Sequence, residues 1–492
     1  MNTHKKYLKS TLIYTVLGFL PLAISFFLSP VNTFYLKTED FGIVGLSNLL
    51  GVYLNIFLIF GIDSAFSRYF FDFYKKPKLL NAYFSTTILS LILFSVIIGI
   101  LFFFFGHDIL NLMFKTTDFT LYPFAFYTFI TCVFSLIMII IQQYYRNSEN
   151  LKGFAFISIL NLIIVTGSTL IGVVYLKYGA LGNIGGKMIG TLIVMLPFLL
   201  FIFTKIGFTF RFSYFKKLLV YGFPVSLYLL IAVMFDNYDK IAIEHHFDLS
   251  KLGIYNLAFT IASVINVFLA AIQSSTYPTL YKNWASTNQN DIYQIKNTFT
   301  YIHLLNCIVI CVVIAFSKPF IEYFINESYH EAINYIPILC LVFIPRSYFI
   351  TYSTSLFYHK NTFILPIINL ISLGFGVVAI NFYFLDFGIL GICYSVIFTN
   401  SVQALLSFIA VYFLENKALS NKFSLGKLHI INLVTVCIVF LSIWINRLLP
   451  DLSFVESYLI FLLPSVVLFS IIFMFYGNQL KQLLSIVLKR NG

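Results

Sequence analysis

The sequence predicts an all-α integral membrane protein with about fourteen transmembrane helices, arranged as two six-helix bundles plus two C-terminal helices. Three observations carry this prediction. The 492-residue chain is 60% hydrophobic and only 10% charged, with a mean hydropathy of +0.91. A soluble chain of this length could not bury so much apolar surface, so lipid is its solvent. The apolar residues also fall into runs of about twenty, which cross a bilayer at about 1.5 Å per residue. Finally, the pattern of the first half returns about 210 residues later.

Taken in order, the apolar cores lie at 11–29, 41–66, 82–106, 120–145, 153–176, 180–204, 217–235, 250–275, 299–317, 333–358, 362–384, 387–414, 428–446 and 455–476. The first follows a basic start, Lys5, Lys6 and Lys9. No small-residue cleavage site follows it, so it reads as an uncleaved span. The second begins beside the charged turn Lys37-Thr38-Glu39-Asp40 and carries Asn48, Asn55 and Asp63. Spacings of seven and eight keep these three near one helix face. A span with a polar face packs on another helix or lines a water-filled cavity. The connections are short, and none could fold into a soluble catalytic domain. The tail from Asn478 to Arg490 reads as a short amphipathic end.

Charge sets the orientation. With both termini in the cytoplasm, most of the 31 Lys and Arg fall on the cytoplasmic side, as the positive-inside rule requires. They include Lys75, Lys76 and Lys78, then Lys205, Arg211, Lys216 and Lys217, then Lys417, Lys422 and Lys427. The net charge of +12 therefore reads as topology-setting cations beside anionic lipid, and no nucleic-acid partner is expected. The six cysteines all sit in apolar runs. Cys307 and Cys311 are one turn apart but have no nearby His or acid, so they read as small buried hydrophobes. The dyad His245-His246 lacks a spaced third ligand. No metal and no cofactor are expected.

The repeat divides the chain. Phe41-Gly42-Ile43 pairs with Leu252-Gly253-Ile254, Asn55 with Asn266, Lys152 with Lys360, and Asn161 with Asn369. Gly179-Ala180-Leu181-Gly182 pairs with Gly388-Ile389-Leu390-Gly391. The expected domains are a bundle at 1–204, a second at 205–416, and two extra helices with a short tail at 417–492. An even number of spans per half leaves both halves facing the same way, related by an axis along the membrane normal.

Candidate functional residues are the polar groups placed against their solvent. Arg346 lies mid-span, directly after Pro345, with Ser347, Thr351, Thr354 and Ser355 continuing a polar stripe. An isolated charge at that depth costs about 2.5–3.5 kcal/mol or more. It therefore either lines a cavity that receives an anionic group such as a pyrophosphate, or pairs with an acid on another helix. Lys187 either faces the same cavity or snorkels to the interface. Asn55 and Asn266 complete the expected cavity lining. Asp63, the one acid within a span, is read as a proton or cation site or as an inner-gate partner of a basic residue such as Arg68. Asp236, Asp239 and Lys240 close the outer end of span 7, as an outer gate or as solvated charges. Pro21 and Pro224 occupy corresponding places in the two halves and read as paired helix breaks, moving or static, with Pro345 as a third. No phosphate-binding loop, paired catalytic carboxylates or activated nucleophile is visible, so an enzyme is not expected.

At this point a resemblance becomes readable. Phe41-Gly42-Ile43 leads to Gly61-Ile62-Asp63-Ser64-Ala65 and Arg68-Tyr69-Phe70. Tyr221-Gly222-Phe223-Pro224, Asp239-Lys240-Ile241-Ala242-Ile243, Leu252-Gly253-Ile254-Tyr255 with Ala258, and Tyr335-Ile336-Pro337-Ile338-Leu339 follow in order, before Gly388-Ile389-Leu390-Gly391. This series resembles Wzx-type O-antigen or capsule-repeat flippases of the multidrug/oligosaccharidyl-lipid/polysaccharide exporter superfamily, which are MATE-like, over spans 1 to 12. The resemblance implies two six-helix bundles around a central cavity, alternating access, and an undecaprenyl-pyrophosphate-linked oligosaccharide as substrate. It implies a place in the bacterial inner membrane among membrane lipids, alongside a polysaccharide polymerase and glycosyltransferases. Family members often line the cavity with several basic residues, whereas here the mid-membrane basics are Arg346 and Lys187. The alternatives are a drug or cation antiporter, which would favour buried acids, and a membrane glycosyltransferase or polymerase, which would need catalytic acids.

Overall fold

The computed structural model describes residues 2–284, 288–414, 426–448 and 470. Apart from residue 470, span 14 lies outside the described residues, as does the amphipathic tail. Every regular element among the described residues is a helix, and ten helical segments are long and apolar enough to cross a membrane. The chain is thus an all-α integral membrane protein. It divides into two compact units, 1–256 and 257–492.

The first unit contains α1 (Asn2–Tyr35), α2 (Thr38–Ile59), α3 (Ile62–Phe73), α4 (Pro77–Met113), α5 (Phe126–Asn147), α6 (Leu151–Leu170), α7 (Gly179–Ile206), α8 (Phe212–His246) and the start of α9 (Leu249–Ala262). Local chemistry sets the ends. Asp40, in the first turn of α2, accepts from Lys37 N at 3.4 Å and from Ala180 N at 3.1 Å, so one carboxylate caps both α2 and α7. Pro77 opens α4, where its missing N–H costs nothing. Asn150 caps α6 by accepting from Gly153 N at 3.0 Å. α2 stops because Phe60 and Gly61 are both left-handed, at φ 47° and 68°.

The core of this unit is aromatic. Phe66 stacks on Tyr83, and Phe73 and Tyr83 both pack on Tyr214, which joins α3, α4 and α8. Tyr83 also donates to Ala65 O at 3.0 Å, so its buried hydroxyl is satisfied. Between α7 and α8 the backbone is held by α4. Ser85 donates to Gly207 O at 3.0 Å, and Thr86 accepts from Arg211 N at 3.1 Å. These side chains satisfy backbone groups that a non-helical link near lipid would otherwise leave unpaired.

The second unit contains the end of α9, α10 (Val264–Trp284), α11 (Gln289–Phe324), α12 (Ala332–Leu341), α13 (Phe343–Tyr358), α14 (Ile364–Ala379), α15 (Gly388–Leu414) and α16 (Gly426–Leu448). α14 and α15 are joined by Gln403, which donates to Asn369 Oδ1 at 2.8 Å. α16, which stands outside the sequence repeat, packs on α11 and α12.

Of the three prolines expected to break helices, only Pro345 stands near an interruption, with α12 and α13 parting at Val342 three residues before it. α1 runs through Pro21 and α8 runs through Pro224. A proline removes one backbone hydrogen bond, and membrane helices accommodate that loss without ending. The interruption in span 2 comes instead at Phe60-Gly61, where two successive left-handed residues leave no helical path.

Candidate functional site

Within the first unit the polar residues of span 2 sit on an accessible strip. Asn48 and Val52 are exposed and Asn55 is half-buried, whereas Ser47, Leu49, Leu50, Gly51 and Leu54 are buried against neighbours. The buried side is pinned to α5. Ser47 and Thr128 share a hydrogen bond of 2.6 Å, and Cys132 Sγ reaches Gly51 O at 3.6 Å. That packing leaves the Asn48–Asn55 side as the open one.

α7 supplies the cation. Lys187 Nζ donates to Asn48 Oδ1 at 3.2 Å. The partner is a neutral amide, and among the described residues no carboxylate lies within ion-pair distance of Lys187. Its charge is therefore uncompensated locally, the arrangement that attracts an anion. Further along, Asn55 Oδ1 and Asp63 Oδ1 are buried with no protein hydrogen-bond partner among the described residues. Asp63 stands in the first turn of α3, just past the Phe60-Gly61 break, where the helix N-terminus favours a carboxylate.

The remaining charges of this unit are placed as follows. Arg68 lies 4.0 Å from Asp72, one turn along α3, and over the Tyr69 ring. Asp236 is exposed, whereas Asp239 is 2% exposed and takes a hydrogen bond from Tyr255 on its Oδ2. Lys240 donates to Asn237 Oδ1 at 2.7 Å. His245 Nε2 lies 3.2 Å from Met113 O, and the adjacent Glu244 accepts from Lys115 N at 2.7 Å and Thr116 N at 2.6 Å. This end of α8 is thereby tied to the loop after α4.

In the second unit Arg346 is half-buried on α13, next to buried Pro345. Ser347 and Thr351 are fully buried and turn toward His303 of α11. His303 Nδ1 lies 2.9 Å from Ser347 Oγ, and its Nε2 lies 3.2 Å from Thr351 Oγ1. The two hydroxyls thus satisfy both nitrogens of an imidazole that is 1% exposed. Asn306, one turn along α11, donates to Phe343 O at 2.8 Å and holds the first turn of α13. Asn266 is half-buried on α10.

α16 joins the same cluster. Asn432 donates to the Tyr348 hydroxyl at 2.6 Å and accepts from Cys307 Sγ at 3.0 Å. His429 Nδ1 lies 2.7 Å from the Tyr348 hydroxyl. Beside this cluster opens an apolar cavity of about 600 Å³, lined by Pro345, Tyr348, Tyr394, Ile397, Ser401 and Phe440 among others. Its wall is hydrocarbon and ring surface, suited to an apolar chain.

The sequence matches the model of one family, described as polysaccharide biosynthesis protein, over residues 7–284, more than half of the chain. The chain belongs to this polysaccharide biosynthesis protein family. A second family model, MatE, matches residues 224–383. No curated protein matches the sequence significantly. Among solved structures the fold is similar to the lipid II flippase MurJ in an inward closed conformation, with a TM-score of 0.73 and 15% identity, covering 95% of this chain and 100% of that one. It is also similar to an inward-facing MATE-family multidrug resistance transporter, with a TM-score of 0.62 and 16% identity, covering 80% of this chain and 93% of that one. An outward-facing MATE transporter gives a TM-score of 0.54 at 16% identity, covering 81% and 92%. These likenesses establish the transporter fold of this polysaccharide biosynthesis protein.

Three residues of this family member escape sequence reasoning: His303, Tyr348 and His429. The signal for His303 was present, since an ionisable residue inside an apolar run needs a partner. The partner lies 44 residues away, and periodicity carries no information on that pairing.

Proposed function

We propose that this chain is a flippase that carries undecaprenyl-pyrophosphate-linked oligosaccharide repeat units across the bacterial inner membrane by alternating access. The flipped units would feed assembly of a surface polysaccharide such as O-antigen, capsule or exopolysaccharide. Both termini face the cytoplasm, and spans 1–6 (residues 1–204) and 7–12 (residues 205–416) act as the two bundles, with 417–492 appended. A polymerase and glycosyltransferases work before and after it.

The observation that carries this reading is Lys187. It is a cation inside a membrane span, hydrogen-bonded to a neutral amide and, among the described residues, without a carboxylate within ion-pair distance. Such a group favours a substrate that brings its own negative charge, as a pyrophosphate does. The family match and the likeness to a lipid II flippase support the same substrate class. Arg346 is the second cation proposed to meet the pyrophosphate. The apolar cavity beside Tyr348 offers a place for part of the polyprenyl chain.

A second reading, a MATE-like cation antiporter, is favoured by the buried carboxylate Asp239 and by the MatE match over 224–383. One experiment separates the two. Proteoliposomes holding the purified protein and a fluorescent polyprenyl-pyrophosphate glycan are treated with a membrane-impermeant sugar oxidant. Protein-dependent gain in glycan exposure supports the flippase. Glycan that stays protected, while a cationic dye is expelled against a proton or sodium gradient, supports the antiporter and ends the first reading.

A further inference from the structure

Span 2 touches its neighbours backbone to backbone at both of its ends, and glycine makes each contact possible. At the first end, α2 meets the start of α9. A Cβ on Gly42 would lie 2.2 Å from Leu249 O, and one on Gly253 would lie 2.1 Å from Thr38 O. One on Gly45 would lie 1.9 Å from Asn256 Nδ2. Ser250 donates to Thr38 Oγ1 at 2.8 Å across the same seam. At the other end, the Phe60-Gly61 break meets α8. A Cβ on Gly61 would lie 2.2 Å from Gly222 O, and one on Gly222 would lie 2.5 Å from Phe60 O.

The two seams are a membrane thickness apart. From Gly42 to Gly61 the rise is about 28 Å at about 1.5 Å per residue, against a hydrocarbon core of about 30 Å. Every residue named lies within the 1–256 unit. Each seam nevertheless joins the first sequence repeat, through α2, to the second, through α8 or α9.

We propose that these two glycine seams are the gates of the transport cycle, one at each membrane face, both closed in this structure. The inference rests on the alternating-access reading and names the atoms that gate it. The contact at each seam is chiefly close backbone packing of van der Waals and Cα–H···O character, with the Ser250–Thr38 hydrogen bond added at the first. Such a contact is weak enough to part and re-form. Two of the charges that might have served as gates are engaged elsewhere: Arg68 with Asp72, and Asp239 with Tyr255. A methyl group on either glycine face holds its own seam apart and leaves the other free to close.

The test uses a full-length chain lacking native cysteines, with one reporter cysteine per seam: Thr38→Cys, 8% exposed, or Ser226→Cys, 5% exposed and one turn from Gly222. Labelling by an impermeant maleimide is measured on spheroplasts and on inverted vesicles. Gly253→Ala should raise labelling at position 38 about fivefold or more and leave position 226 unchanged or lower. Gly222→Ala should do the reverse, from the opposite membrane face. Unchanged labelling at the substituted seam, or both seams opening together in each variant, overturns the proposal in favour of static packing. Should the alanine variants fail to accumulate, the pair Thr38→Cys with Ser250→Cys is oxidised in the otherwise unaltered chain. Reversible arrest of surface polysaccharide export supports the gate, and full export in the cross-linked protein overturns it. Labelling needs no substrate, so seams that respond while the glycan assay fails would reject the substrate and keep the gates.

Discussion

Lys187 and Asn48, 139 residues apart in the chain, meet through a 3.2 Å hydrogen bond between α7 and α2. The pair joins a cation to the accessible Asn48–Asn55 strip of α2. Lys187→Ala should abolish or cut by at least about tenfold the surface polysaccharide of a complemented deletion strain, at unchanged membrane abundance. Lys187→Arg should keep part of it, since the charge remains. Full polysaccharide from the alanine variant would remove Lys187 from the mechanism.

Arg346 is expected to behave in the same way but with stricter geometry. Its planar fork binds two phosphate oxygens at once, whereas lysine offers a point charge. Arg346→Ala should insert and accumulate normally yet lose polysaccharide export, and Arg346→Lys should retain a fraction. Immunoblotting beside the polysaccharide assay checks both. An alanine variant with normal export would assign Arg346 a structural role.

His303 is expected to matter for stability. Removing its ring takes away the contacts of Ser347 and Thr351 with the imidazole, although each hydroxyl still has a backbone acceptor, Ile344 O at 2.6 Å and Ser347 O at 2.9 Å. The cost is about 0.5–1.5 kcal/mol for each lost hydrogen bond, plus the cavity left behind. His303→Ala should lower the thermal midpoint in detergent by several degrees. The triple change to His303→Leu, Ser347→Ala and Thr351→Val should recover much of that loss. An unshifted midpoint for the single variant would contradict the geometry.

Ser401 tests the apolar cavity. It lines the cavity and satisfies itself by donating to Ile397 O at 2.8 Å. Ser401→Trp should fill the space and reduce glycan exposure in proteoliposomes, while Ser401→Ala should be close to neutral. Equal transport by both variants would separate the cavity from the substrate path.

Orientation is checked by two positions. In the cysteine-free chain, Lys76→Cys should resist an impermeant maleimide on intact cells, and Asp248→Cys should react. The opposite result would invert the topology.

Membrane class, helical content and the place of most spans follow from the amino-acid order alone. Apolar run length is a local property, and the bilayer demands that each run satisfy its own backbone. That order likewise placed Asn48 and Asn55 on one side of span 2, because helical periodicity is local too, whereas Asp63 lies past the Phe60-Gly61 break on α3, where that periodicity no longer carries. What it could not determine was which polar groups meet. Ser347 and Thr351 read as an open polar stripe, but they are fully buried against His303 on another helix. Asp63 and Arg68 are five apart in the chain, yet Arg68 turns to Asp72, one full turn along the same face. The break at Phe60-Gly61 was decided in three dimensions as well. Gly61 lies where the backbone of α8 approaches too closely for any side chain, and left-handed geometry there is settled by packing across 161 residues, from Gly61 to Gly222.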